Sequence, residues 1–112
     1  MNIKDLYRRV SFCEPMQQNE FISYLNDTID YLQARYGTIF VSEDGCRIEK
    51  INAIDNDVPL RPEYISAVFA NIIYLKTGNT DRKVDAVATA EFAYRTAWRE
   101  AVSGKRLNEE VW

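Results

Sequence analysis

Histidine is absent from this 112-residue chain. It is the one side chain whose ordinary pKa lies in the physiological range, and it is also the commonest metal ligand. Its absence excludes serine–histidine and cysteine–histidine nucleophile pairs and histidine-ligated zinc sites. Only carboxylate or lysine chemistry remains open to an enzyme of this composition. Cysteine is scarce: Cys13 and Cys46 stand far beyond any C-x-x-C spacing, with no companion ligands nearby. Free thiols at buried or half-buried positions are expected. Glycine is scarce as well, and Gly37, Gly45, Gly78 and Gly104 stand singly, each where an element should turn or end, so no phosphate-cradling loop is present. No window approaches the ~18 apolar residues of a membrane span. The charged, amphipathic stretch Met1–Leu6 lacks the apolar core of a signal peptide. A reducing compartment is expected, most simply a bacterial cytoplasm.

Neither sign of charge dominates. Fourteen Lys and Arg face 17 Asp and Glu, for a formal charge of −3, which argues against the concentrated basic face that duplex DNA requires. With 46% hydrophobic and 28% charged residues, the composition is that of a soluble globular chain. Its length suits one domain, 1–112, with a short C-terminal tail over 104–112. A chain of this size buries roughly two-thirds of its unfolded surface. That supports one modest core but no deep catalytic cavity.

The patterning is mostly helical. Ile3, Leu6, Tyr7 and Val10 recur at helical spacing behind Asn2, a good N-cap, and the run should stop near Glu14-Pro15. A stronger helix is expected from about Gln17 to Tyr36, with Phe21, Leu25, Thr28 or Ile29, Leu32 and Tyr36 inward and Gly37 closing it. Between Thr38 and Pro59 the pattern changes. Ile39-Phe40-Val41 is β-branched and aromatic, Cys46 to Ile51 alternates apolar with polar, and Asp44-Gly45 lies between, so a β-hairpin is expected between the second and third helices. A third helix should run from about Pro62 to Lys76. A fourth, capped by Thr80 or Asp81, should reach about Ser103 and be closed by Gly104. The fold class is therefore a mostly α bundle of about four helices with one inserted β-hairpin.

Few residues invite chemistry. Asp55-Asn56-Asp57 begins like a calcium loop, but no glycine turn and no bidentate glutamate follow. A solvated loop is expected there, with no catalytic residue, metal ligand or cofactor site. Arg95, Arg99, Lys105 and Arg106 form the one positive cluster, which a helix C-terminus favours in any case. The fourth helix is more informative. Ala86, Ala90, Ala93, Ala97 and Ala101 form a small-residue stripe that lets another backbone approach closely, and Val87, Tyr94, Trp98 and Val102 form a bulky stripe beside it. Phe92 points away from both. Either the bundle encloses this helix, with Phe92 under the hairpin, or part of its surface meets another subunit. Large aromatic residues supply most of the energy of interface hot spots. The candidate interface residues are therefore Phe92, Tyr94, Trp98 and Trp112, joined by Phe40 and Ile48 of the hairpin.

The order of elements resembles one known type. A short N-terminal helix, a long helix ending Tyr31-Leu32-Gln33-Ala34-Arg35-Tyr36-Gly37, a hairpin, and a helix ending Tyr74-Leu75-Lys76-Thr77-Gly78 are similar to the small head–tail connector, or adaptor, proteins of tailed bacteriophages and prophages. The stretch Ala93-Tyr94-Arg95-Thr96-Ala97-Trp98-Arg99, with Gly104-Lys105-Arg106 and Trp112, also looks like the end of prophage structural proteins of this size. The resemblance implies a non-enzymatic subunit that assembles with copies of itself into a ring below the portal. Its partners would be portal and tail proteins, and DNA would pass through the ring without sequence-specific binding. A reading from another class is a small helical protein-binding or regulatory module acting as a monomer or dimer.

Overall fold

The computed structural model describes the backbone of residues 1–110 and the side chains of residues 1–102. Five α-helices follow one another: α1 (Ile3–Cys13), α2 (Gln18–Tyr36), α3 (Thr38–Val41), α4 (Ile65–Thr77) and α5 (Thr80–Glu110), with a 3-10 turn over Pro62–Tyr64 leading into α4. Asn2 caps α1 by accepting from the Asp5 amide at 3.1 Å, and the helix buries Ile3, Leu6 and Val10. It stops at Cys13 because Glu14, which precedes Pro15, is extended. The long α2 buries Phe21, Leu25, Thr28, Ile29, Leu32 and Tyr36, which places one face of the helix at the centre of the core. At its end Gly37 has φ 90°, a conformation that residues with a Cβ rarely adopt.

The β-hairpin expected between Thr38 and Pro59 does not form, and no named strand occurs among the described residues. Thr38–Val41 makes a single helical turn instead, with Val41 buried and Ile39 exposed. Asp44-Gly45 does turn the chain: Gly45 has φ 74°, and Asp44 accepts from the Ser42 hydroxyl and, at 2.9 Å, from the Cys46 amide. The chain that follows is held by α2. Asn26 accepts from the Ile51 amide at 2.8 Å and donates to the Ile51 carbonyl at 2.9 Å, and Gln33 treats Ile48 in the same way at 2.7 and 3.3 Å. These two amides, seven residues apart on one face of α2, take the place of a partner strand. Ser42 forms an isolated antiparallel bridge with Leu60, far from Cys46–Ile51.

The physical reason for the correction lies in spacing. Ile48 and Ile51 are both buried, while Arg47, Glu49 and Lys50 are exposed. A separation of three cannot place both isoleucines on one face of a strand whose period is two.

Helices α4 and α5 are joined by Gly78, in the left-handed conformation, and Asn79, a connection short enough to make them antiparallel neighbours. Asn79, not Thr80 or Asp81, caps α5: its side chain accepts from the Asp81 amide at 2.9 Å. The stripe Ala86, Ala90, Ala93 and Ala97 is buried, which lets the two backbones pack closely. The helix runs through Gly104 to Glu110 rather than stopping at Ser103. At 1.5 Å per residue its 31 residues span about 46 Å, which accounts for the elongated 55 × 29 × 21 Å outline.

Candidate interaction surface

One side of α5 is fastened into the domain by aromatic packing. Tyr94 is half-buried, with its ring 5.2 Å from that of Tyr36 and 5.5 Å from Phe40, the latter edge-on. The Tyr36 hydroxyl donates to Glu91 at 2.9 Å, and Arg35 lies 3.6 Å from the same carboxylate. Burial first, and then the hydrogen bond to Glu91, push the Tyr36 phenol up to about 12. Tyr64, fully buried beside Tyr36, is pushed up to about 12 chiefly by burial.

The rest of α5 leaves apolar surface in solvent. Phe92 is 70% exposed and Trp98 48%, and Val84, Val87 and Val102 are exposed as well. Ile39 on α3, 69% exposed, joins Phe40, Trp98, Ala101 and Val102 in walling an open groove of about 560 Å³, with Arg61 and Glu100 on its rim. Arg61 is held by Glu63 at 2.9 Å and by Glu100. The hydrogen bond to Glu63 contributes most to raising the guanidinium above its ordinary range. The cation is thus already neutralised within the chain.

A second apolar patch lies at the end of α1. Phe12, 91% exposed, stands with Cys13, Arg8, Arg9 and Phe69 around a shallow groove of about 390 Å³. The Arg9 guanidinium lies over the Phe69 ring, 5.8 Å from its centre. Cys13 and Cys46 are free thiols, as the spacing suggests, but both are exposed rather than buried.

The interface candidates separate into three groups. Phe92 and Trp98 lie on the surface, and Phe92 is covered by no hairpin. Tyr94 belongs to the chain's own aromatic cluster, and Phe40 is shared between that cluster and the Trp98 groove. Ile48 is buried, its backbone clamped by Gln33, so its side chain belongs to the domain core and not to a surface. Trp112 lies outside the described residues.

The exposed apolar residues that the sequence pattern does not mark as surface include Phe12, Ile39 and Val84. Phe12 falls out of phase with Ile3, Leu6 and Val10, a signal that periodicity could have supplied. Ile39 was hidden by its assignment to a strand. Asp55 lies 3.3 Å from Lys4 in an exposed ion pair, and no group of three metal-ligating side chains comes together among the described residues. Nor is any described helix long and apolar enough to cross a membrane. No family model matches the chain, and none of the curated proteins or solved structures with which it was compared is similar to it.

Proposed function

We propose that this chain is a non-enzymatic assembly subunit of a tailed bacteriophage or prophage, a head–tail connector that forms a ring with its own copies below the portal. The observation that carries the reading is the presence of two exposed apolar patches with no residue in common, one around Phe12 and one around Ile39, Trp98 and Val102. A ring of identical subunits requires a heterologous contact, in which each copy offers two different surfaces. An isolated binder needs only one. The helices before and after the insertion match the element order on which the resemblance rests, whereas the hairpin in that order is replaced by the α3 turn and irregular chain. The proposed partners are further copies of the chain, a portal and tail proteins, with DNA passing through the ring. The proposed location is the virion or the host cytoplasm.

The test is electron microscopy of the full chain, alone at high concentration and mixed with a tailed-phage portal protein. Rings, or density added to the portal's tail-facing end, are expected. A chain that neither forms rings nor binds the portal would remove the connector reading and leave a regulatory binding module, which light scattering would show as a monomer or dimer.

A further inference from the structure

The groove at the end of α1 is apolar on its floor and cationic at its rim. Phe12 and Phe69 supply the ring surfaces and Arg8 and Arg9 the charge, and no carboxylate lines it. Arg8 makes only a loose, exposed pair with Asp5 at 3.7 Å, and Arg9 has no ion-pair partner among the described residues. The Trp98 groove has the opposite character, because Arg61 is already satisfied and Glu100 stands at its edge. An acidic, aromatic segment would therefore be drawn to the first groove and repelled from the second.

The chain carries such a segment. Glu109-Glu110-Val111-Trp112 sets two carboxylates beside an aliphatic side chain and an indole. We propose that this segment of one copy docks into the Phe12 groove of a neighbouring copy. The Trp112 indole lies against Phe12 and Phe69, and Glu109 and Glu110 face Arg8 and Arg9.

Geometry excludes the chain's own groove. Glu100 is tied to Arg61, just before α4 begins. From there α5 runs on antiparallel to α4 and away from Phe69, which lies inside α4. Ten further residues carry Glu110 about 15 Å past Glu100, and the two residues after it extend at most about 7 Å more. A contact from the end of one copy to the first helix of the next is heterologous and propagates into a ring or a filament. The inference rests on the assembly reading above and names the contact that would build it.

Two full-length variants test it. Trp112→Ala removes the anchor, and the double variant Arg8→Glu/Arg9→Glu reverses the charge of the groove. Arg8 and Arg9 are exposed, and circular dichroism checks that both variants keep the wild-type helix content. In sedimentation velocity the wild type should gain mass with concentration, and each variant should associate at least tenfold more weakly, as expected for loss of an aromatic or charged hot spot. An equimolar mixture of the two variants should form a dimer and nothing larger, because one supplies an intact groove and the other an intact tail. Variants that associate like the wild type, a mixture that stays monomeric, or a wild type that is monomeric at every attainable concentration would each overturn the contact. Portal-bound rings that persist in both variants would overturn this contact but leave the connector reading. Association by this route with no portal binding would do the reverse.

Discussion

At the scale of single residues, the side-chain amides of α2 and the buried phenols carry more of the structure than their number suggests. Asn26 satisfies both the amide and the carbonyl of Ile51, a residue turned into the core. Asn26→Leu would leave two backbone groups without partners, and an unsatisfied buried group costs about 1–3 kcal/mol. The variant should lower the urea midpoint by a corresponding amount. Asn26→Asp keeps the acceptor for the Ile51 amide but sets a carboxylate oxygen against the Ile51 carbonyl, so it should destabilise as well. A midpoint unchanged in both would show that water replaces the clamp. The phenols of Tyr36 and Tyr64 act through pH, since each is raised from 10.0 in the unfolded chain to about 12 in the fold. A raised pKa means that the folded state holds the proton more tightly. The stability this confers is intact below pH 10 and is lost as pH climbs from 10 towards 12. Denaturation midpoints measured across that window should fall steeply in the wild type and less steeply in Tyr36→Phe/Tyr64→Phe. Equal slopes would show that neither phenol is shielded in solution.

At the scale of elements, α1, α2 and α4 were legible because apolar spacing, capping residues and the breaks at Pro15, Gly37 and Gly78 agree with one another. The insertion between α2 and α4 was not, because local propensity and tertiary satisfaction point in different directions. Ile39-Phe40-Val41 is β-branched and aromatic, yet it follows Gly37, whose positive φ turns the chain straight into the α3 turn. Asp44-Gly45 does turn the chain but is not the tip of a hairpin, since the backbone partners of Ile48 and Ile51 sit far back on α2. Such pairings over long sequence separation leave no trace in periodicity, although the spacing of three between the two isoleucines did count against a strand. The candidate surface was half legible: Phe92 and Trp98 stand out on the helical wheel of α5, whereas Ile39 required knowledge of α3. Gly37 is the hinge of this whole region. A Cβ there meets nothing closer than the Phe40 ring at 4.0 Å, so the effect of Gly37→Ala is one of backbone conformation alone. It should cost about 1–3 kcal/mol, read as a lower Tm with little change in the unfolded-state slope of a urea titration. A stability equal to wild type would mean that α2 and α3 can join through a different turn.

At the scale of the whole molecule, α5 combines a buried alanine stripe with exposed aromatic residues at separate positions around the helix. The alanine stripe is internal: Ala90, Ala93 and Ala97 are almost fully buried against the rest of the domain. The aromatic positions beside it, Phe92 and Trp98, face outward, where apolar surface gains nothing for a lone domain. This division makes opposite substitutions informative. Ala93→Leu inserts a bulky side chain where two helices approach closely, and overpacking of this kind typically costs about 1–3 kcal/mol. Phe92→Gln exchanges an exposed ring for a polar side chain of good helix propensity and should leave stability within about 0.5 kcal/mol of wild type. Thermal unfolding by circular dichroism separates the two at once. Assembly should respond in the other sense, because a subunit that needs the exposed Phe92 ring for contacts would keep its Tm in Phe92→Gln yet show weaker ring or portal association in light scattering. A Phe92→Gln variant that unfolds as readily as Ala93→Leu would place Phe92 within the stabilising core. One that assembles like the wild type would restrict the contact to the grooves around Phe12 and Trp98.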